Sequence, residues 1–301
     1  MATTLTTIQA EVGGFIGDLS SGTATRLTRY ANYIGRQFWH RQPWHERKTR
    51  GVVATVAPYA TGTAAVAAAT GVVTGTGTTF TSAMVGRKFA RSLNAPPYVI
   101  GTFGGVTSIT LSRASYLEST TADAAYTIYG DVLTLASDCD VVLGDRLQLL
   151  CEGAERRVVR ITPGDAAMDG AWPKSQGFPS MFWDIENSAA GLRQIQVWPV
   201  PDGTYGIEYP YLTKYTDLVN GSDNWVVPDR HASLCIDGMN RHALRLHDDW
   251  EKAIAEDERF WRAVDRAWLS DRRTMPRGGR MRGFDDPRST PRRFGTFNYT
   301  G

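Results

Sequence analysis

The sequence predicts an α+β protein with a bundle of N- and C-terminal helices, a central antiparallel β-region and an inserted small β-domain. Three observations predict this fold class. Apolar residues recur at helical spacing near both ends of the 301-residue chain, the residues between them alternate with a period of two, and a stretch rich in Gly, Thr, Ala and Val follows the first helices. With 42% hydrophobic residues at this length, we expect more than one compact unit.

Changes of composition and period divide the chain into five predicted segments. They are the N-terminal helices of the helical core (1–50), the inserted small β-domain (51–130), the central β-region with long loops (131–229), the C-terminal helices of the helical core (230–270) and an extended Arg-rich arm (271–301). The central region holds fifteen acidic and seven basic residues, whereas the arm holds eight Arg and three Asp. This segregation favours self-complementary assembly or docking of a basic end on an acidic partner.

The N-terminal segment predicts two helices. The first covers 4–18, and Thr23 or Thr25 is expected to cap the second. The second helix is amphipathic and ends before Pro43, which cannot continue it. Its apolar stripe consists of Leu27, Tyr30, Ile34 and Phe38.

The inserted segment carries the Gly-rich motif TGTGTT at 74–79 within a run of β-type residues. A phosphate-binding loop would need Lys and then Ser or Thr after the last Gly, and a dinucleotide loop would need a third Gly where Phe80 stands. We therefore expect a turn between strands. The clearest hairpin covers 98–113, with Gly104-Gly105 as its two-residue turn.

The central segment predicts strands at 146–153 and 156–161, followed by a long loop. The alternating residues of 193–212 predict a further hairpin, which turns at Pro201-Asp202-Gly203. The C-terminal segment predicts helices over 230–246 and 249–270. Aromatic residues at helical spacing on the second of these are typical of a core or of a subunit contact, and the candidates for subunit contact are Trp250, Phe260, Trp261 and Trp268.

The last segment has no periodicity and is too polar to fold alone. It is either a disordered tail or an arm that becomes ordered on a partner. Arg provides forked donors, and aromatic side chains anchor interfaces. The candidate binding residues of the arm are Arg272, Arg273, Arg277, Arg280, Arg282, Phe284, Arg288, Arg292, Arg293, Phe294, Phe297 and Tyr299.

We find no catalytic, cofactor-binding or metal-binding motif. His242 and His247 are five residues apart and do not share a helix face, and the three Cys fit no metal spacing, which favours reduced thiols in a cytosolic context. No run of apolar residues is long enough to span a membrane, and the N-terminus does not have the pattern of a secretory signal. A carboxylate-based hydrolase stays possible, because spacing in the sequence does not tell whether two carboxylates meet.

Several stretches together resemble the head-to-tail adaptor proteins of tailed bacteriophages, also called head completion or connector proteins. The opening stretches IQAEVGGFIGDL and RLTRYANYIGRQFWHRQPW are similar to the paired first helices of that group. VWPVP with DGTYGIEYPYLTKYTDL resembles its Tyr-bearing strand, and VVPDRHASL with DDWEKAIAEDERFWRAVDRAW is similar to its closing helices. GVVTGTGTTFTSAMVGRKF resembles a small β-module that recurs among phage structural proteins.

The resemblance implies structural work without enzymatic activity. It implies a ring, usually of twelve identical copies, in the neck of the virion, assembled in the host cytoplasm. In such a ring the arm would bind the portal, the β-parts would contact a tail or nozzle protein, and DNA would pass through without sequence-specific binding. The acidic residues of 131–229 would then form a wall that does not hold phosphates. A tail-associated protein that binds host glycans through exposed Tyr and Trp of 51–130 is the alternative.

Overall fold

The computed structural model describes residues 3–17, 20–92, 94–112, 120–150, 156–162, 175–185, 187–245 and 250–274, with the backbone alone for 241–245, 250–257 and 272–274. These residues form four helices and many strands, so the predicted α+β class is confirmed. None of the described helices is both long enough and apolar enough to cross a membrane.

The helices lie at the two ends of the chain. They are α1 (Leu5–Ile16), α2 (Ser21–Arg41), α3 (Asp229–Arg245) and α4 (Trp250–Thr274). Ser20 caps α2, since its side chain accepts a hydrogen bond from the Thr23 amide. The predicted cap at Thr23 or Thr25 is therefore wrong, because both residues already lie inside the first helical turns and only Ser20 has the extended backbone of a cap.

The strands of the first half are β1 (Lys48–Ala54), β2 (Val56–Tyr59), β3 (Thr63–Ala67), β4 (Val72–Thr76), β5 (Lys88–Ala90), β6 (Tyr98–Gly105), β7 (Ser108–Leu111), β8 (Thr121–Ala124) and β9 (Thr127–Gly130). Those of the second half are β10 (Val132–Thr134), β11 (Cys139–Val142), β12 (Arg146–Leu150), β13 (Arg156–Arg160), β14 (Gln176–Gly177), β15 (Met181–Ile185), β16 (Gln194–Trp198), β17 (Val200–Pro201) and β18 (Gly206–Thr213). Single 3-10 turns occur at His45–Arg47 and Ser82–Met84.

The chain divides into two compact units. The helical unit comprises the described residues of Met1–Arg50, Asp138–Val141 and Tyr211–Gly279, and the β-unit comprises those of Gly51–Ser137 and Val142–Pro210. One hydrophobic core in the helical unit contains residues of all four helices, among them Ile8, Phe38, Met239 and Val264. Trp44 is fully buried there and stacks on Phe38, with ring centroids 4.4 Å apart.

Strands β2 to β9 form one antiparallel sheet, in the order β2-β9-β5-β6-β7-β4-β3-β8. Its core consists entirely of residues between Ala64 and Ile128, including Phe80, Phe89 and Tyr126. The TGTGTT motif lies at the end of β4, and Gly77 adopts a positive φ of 69° in the turn that follows. Only a single 3-10 turn, Ser82–Met84, and no α-helix follows this motif before β5, so the geometry of a phosphate-binding loop is not formed there.

The hairpin predicted over 98–113 exists, but its turn is two residues further along the chain. Gly105 pairs with Ser108, so the turn residues are Val106 and Thr107. The predicted turn at Gly104-Gly105 is wrong because both glycines belong to β6. A Cβ at Gly104 would lie 3.2 Å from the Ser108 hydroxyl oxygen, which indicates that the close approach of the strands favours glycine at this position.

The second sheet runs in the order β1-β18-β12-β13-β15-β16-β10, with β11 paired to β18. Strands β13 and β15 are parallel, as are β14 and β17, so the central region is mixed rather than wholly antiparallel. About twenty residues separate β13 from β15, enough for the crossover that a parallel pair needs. The predicted hairpin of 193–212 is wrong, because β16 pairs with β10 and β15 whereas β18 pairs with β12.

Candidate interaction surfaces

The four aromatic residues predicted to contact neighbouring subunits lie along α4. Phe260 is only 4% exposed and belongs to the core of the helical unit. Trp261 and Trp268 are half-buried against that core, and the Trp268 ring meets Trp44 edge-on at 5.6 Å. The side chain of Trp250 lies outside the described residues. Contacts within the chain thus explain why Phe260 is aromatic and buried. For Trp250, Trp261 and Trp268, a contact with a neighbouring subunit stays a prediction.

The predicted arm begins inside a helix. Helix α4 extends to Thr274, so Arg272 and Arg273 belong to its last turn. The remaining candidate residues of the arm lie outside the described residues: Arg277, Arg280, Arg282, Phe284, Arg288, Arg292, Arg293, Phe294, Phe297 and Tyr299. What the structure describes of the arm is therefore the place where it starts.

A polar cluster surrounds that starting point. The Arg230 guanidinium donates from Nε to Asp271 Oδ1 at 3.0 Å and from Nη2 to Asp271 Oδ2 at 2.7 Å. The same Nη2 lies 2.5 Å from Glu46 Oε1. The hydrogen bond to Asp271 raises the pKa of Arg230, so this side chain stays charged. His231 Nε2 lies 3.8 Å from Asp271 Oδ1, and burial lowers the pKa of His231.

Helix α2 has a basic exposed face. Its 21 residues contain four Arg and no acidic residue, and Arg26, Arg29 and Arg36 are exposed together with Tyr33. Arg29, Tyr33 and Arg36 belong to the lining of an open groove of about 520 Å³. Arginine and tyrosine are enriched in protein interfaces, which makes this face a candidate contact surface. The sequence pattern located the apolar stripe of α2 but did not single out its opposite face.

The loop between β18 and α3 is fixed to α2. The Asn32 side chain donates to the Leu218 carbonyl at 2.9 Å and accepts from the Leu218 amide at 2.8 Å. Arg36 forms a two-pronged ion pair with Asp217. The Asp223 carboxylate accepts hydrogen bonds from the amides of Asn220 and Val219, which precede it in the loop, and these bonds lower its pKa. The loop thereby presents Val219, which is 75% exposed, on a well-bonded backbone. No periodicity in the sequence indicates this apolar tip.

Arg47 is a buried cation at the end of the segment that follows α2. Its side chain is 3% exposed, and it donates to the Trp39 carbonyl and to Asp140 Oδ2, both at 2.8 Å. It also donates to the Thr213 carbonyl at 3.3 Å. Burial lowers the pKa of Arg47, while Asp140 acts in the opposite direction. This residue was missed in the sequence, because Asp140 lies 93 residues away and no local pattern joins them.

Many acidic residues of 131–229 serve the fold. The carboxylates that accept a hydrogen bond or an ion pair from a described side chain or amide are Asp131, Asp138, Asp140, Asp184, Asp202, Asp217, Asp223 and Asp229. Asp131, for example, is buried and accepts from Lys88 and Gln196, at 2.6 and 2.8 Å. Asp131, Asp140, Asp184 and Asp217 pair with a Lys or Arg of the same chain, so part of the negative charge of this region is neutralised internally.

The described residues contain no group of three or more His, Cys, Asp or Glu that could hold a metal ion. The glycan-binding alternative required exposed Tyr and Trp in 51–130. Of the tyrosines described there, Tyr98, Tyr126 and Tyr129 are buried and Tyr59 is half-buried, and this part of the sequence contains no Trp. The described surface of this domain therefore lacks the aromatic platform on which that alternative rested.

Comparison with known proteins gives one family. The family model described as SU10 adaptor protein matches residues 108–283, which is more than half of the chain. The matched range begins in the inserted β-domain, covers the central β-region and the C-terminal helices, and ends inside the predicted arm. No curated protein matches the sequence.

Proposed function

The chain belongs to the SU10 adaptor protein family, and from this premise we propose that it forms the ring that joins the portal to the tail in the neck of a phage virion. The family is one of phage structural proteins, and the match over more than half of the chain is the observation that carries the proposal. The finer assignment is a ring of twelve identical copies, through whose centre DNA passes during packaging and ejection.

The helical unit is proposed as the wall of the ring. The helices would act as a bundle, because residues of all four contribute to one hydrophobic core. Helix α2 and the loop carrying Val219 offer neighbouring copies a basic face and an exposed apolar tip. Interfaces between subunits use such Arg, Tyr and apolar contacts around a well-packed scaffold. Trp250, Trp261 and Trp268 remain candidates for the same contacts.

The arm is proposed to bind the portal, and the β-parts to contact a tail or nozzle protein. Eight Arg residues and four aromatic residues in the last 31 residues favour binding to an acidic surface. The inserted β-domain has a core cluster made only of its own residues, which suits a module that faces a separate neighbour. DNA passage rests on the family alone, since the described acidic residues are largely bonded within the chain.

The test is a reconstitution with the portal ring of the same phage. The full chain is expected to add a ring to purified portal particles, visible by electron cryo-microscopy as a layer of twelve copies. A chain that ends at Thr274 keeps α4 complete and is expected to stay folded but to lose binding to the portal. Equal binding by the two chains would refute the assignment of the arm, and a location away from the portal vertex would refute the adaptor role.

A further inference from the structure

We infer that Arg230 is the residue that positions the portal-binding arm, by clamping the last turn of α4 to the segment that follows α2. This inference rests on the proposed function, because it assigns a role to the starting point of the arm. The clamp consists of Arg230 at the start of α3, Asp271 in α4 and Glu46 in the 3-10 turn after α2. One guanidinium thus joins three elements that are far apart in the sequence.

The position of Asp271 indicates that this residue serves a tertiary contact. It lies three residues before the end of α4, where the helix dipole disfavours a carboxylate and favours cations such as Arg272 and Arg273. An acidic residue at this place makes the isolated helix less stable. The two-pronged bond from Arg230 offsets that cost only when the helix end is held against α3.

Burial of the carboxylate distinguishes this ion pair from the Arg36–Asp217 and Arg41–Asp265 pairs of the helical unit. The Asp271 side chain is 11% exposed, whereas Asp217 and Asp265, which bind Arg36 and Arg41, are 43% and 44% exposed. Water screens the exposed carboxylates and reduces the contribution of their pairs. The Asp271 carboxylate is shielded, although its partner Arg230 is 48% exposed, and a shielded carboxylate is costly to leave without its donor. Of these three pairs, Arg230–Asp271 is therefore the one expected to hold its helix end in one place.

The surroundings make the clamp rigid. His231 follows Arg230 in α3, and its ring packs beside the stacked pair of Trp44 and Phe38, at 5.0 and 5.7 Å from their ring centroids. Trp268, one turn before Asp271, meets Trp44 edge-on. The end of α4 is thus held by an apolar contact and an ion pair on the same side. Without the ion pair, the last turn would fray like an ordinary helix end, and the arm would start from a variable point.

A fixed starting point matters for binding by an arm that orders on its partner. Each residue that is held before binding lowers the conformational entropy lost on binding. Asp271 lies three residues before Thr274, the last described residue of α4, so the clamp would restrict the directions in which a following arm can reach the portal. Loss of the clamp should therefore weaken portal binding without removing any contact that the arm itself makes.

The experiment compares Arg230→Gln with Arg36→Gln and Arg41→Gln in the full chain. The two control variants remove equally two-pronged but more exposed pairs, and Arg41 also contacts α4 through Asp265. Hydrogen exchange of amides 268–274 and affinity for purified portal rings are measured for each variant. Arg230→Gln is expected to raise the exchange rate of these amides and to lower the affinity for portal rings, each by at least about tenfold. Each control variant is expected to change both quantities by less than about threefold. Arg230→Lys keeps the positive charge but not the two-pronged hydrogen bond, so its exchange rate and portal affinity should lie between those of Arg230→Gln and those of the controls.

Unchanged exchange at 268–274 in Arg230→Gln would overturn the inference, and so would raised exchange with unchanged portal affinity. If Arg230→Gln does not fold, Asp271→Asn provides the same two measurements with the guanidinium left in place. The chain that ends at Thr274 separates this inference from the proposed function. If that chain binds the portal as well as the full chain, the arm assignment fails, while the exchange data still report whether the clamp orders the end of α4.

Discussion

The helical unit and the inserted β-domain are held together in different ways. The helical unit combines three stretches of the chain, and its ion pairs join residues that are far apart, such as Arg36 with Asp217 and Arg41 with Asp265, 181 and 224 residues apart. The inserted sheet is one continuous stretch from β2 to β9 with a core of its own. Three of its seven pairs of neighbouring strands are consecutive in the sequence, namely β3 with β4, β5 with β6 and β6 with β7.

The difference shows where a fold needs charged contacts. Hairpins bring their strands together with little loss of loop entropy, so apolar side chains and backbone bonds are sufficient. Helices that meet across more than 150 residues have no such local guidance. Directional Arg–Asp bonds can fix their relative position in addition to the apolar core. We therefore expect the helical unit to be more sensitive than the inserted domain to the loss of single charges.

The largest effect is expected for Arg47→Met in the helical unit. The variant removes a guanidinium that is 3% exposed, and the Trp39 and Thr213 carbonyls and the half-buried Asp140 carboxylate lose its hydrogen bonds. The loss of one donor from several acceptors at once is expected to cost about 3–5 kcal/mol of the free energy of unfolding. Urea denaturation followed by tryptophan fluorescence measures this cost. Arg262→Ala, which removes an exposed pair with Glu258 one turn away, is the control and should cost less than about 0.5 kcal/mol.

A smaller effect is expected for Lys88→Met in the β-unit. Asp131 is 8% exposed, but Gln196 still donates to it at 2.8 Å after the lysine is removed. The free energy of unfolding is expected to fall by about 1–3 kcal/mol, which is the cost of a buried group that keeps only some of its hydrogen bonds. The double variant Lys88→Met with Asp131→Leu should recover part of that loss in the same measurement. A loss larger than that of Arg47→Met would contradict the contrast between the two regions.

The pH dependence of the helical unit is expected to change in His231→Gln. Because burial lowers the pKa of His231, the unfolded chain binds a proton more readily than the folded one below about pH 6.5. Wild-type stability should therefore fall as the pH decreases below this value, by at most about 1.4 kcal/mol per pH unit from this group. Chemical denaturation from pH 7 to 5 should show a shallower decline in His231→Gln than in the exposed control His45→Gln. Equal slopes would show that His231 does not titrate differently in the two states.

The smallest effect on the helical unit is expected from removing the inserted sheet altogether. Val56 and Gly130 are paired across β2 and β9, so their Cα atoms lie about 5 Å apart and two glycines can replace residues 56–130. Asp131→Asn should accompany the deletion, because Lys88 is then absent. The free energy of opening that hydrogen exchange measures for amides of α1 and α2 should change by less than about 1 kcal/mol. Loss of protection in these helices would show that the domain is not an independent insertion.

The sequence predicted the elements better than their partners. Apolar periodicity located all four helices, and alternation located β12 and β13. The pairing of β16 could not be predicted, because adjacency in the sequence suggested β18 whereas the strand lies between β10 and β15. The choice of pairing partner depends on how side chains pack across the sheet. A short stretch of sequence holds no information about that packing.

The interaction surfaces were only partly predictable. Composition indicated the Arg-rich segment and the aromatic side chains of α4, but not the Arg230–Asp271 contact near the end of α4. Charge counting suggested a free acidic surface in 131–229, since composition does not tell whether a carboxylate is solvated or bonded to a distant Arg. Only the folded positions of Arg47 and Asp140 show that these charges belong together.

During synthesis, the first helices of the helical unit are made long before the later parts of the chain that pack against them, whereas the strands of the inserted sheet are made one after another. At about 5–20 residues per second, Asp217 leaves the ribosome roughly ten to forty seconds after Arg36, its partner. Throughout that interval the apolar stripe of α2 lacks the closing helices, whereas the sheet from Val56 to Gly130 has all of its strands from about halfway through it. A nascent chain therefore carries a finished β-module beside an uncovered helix pair, and this pair is where a chaperone would have to act.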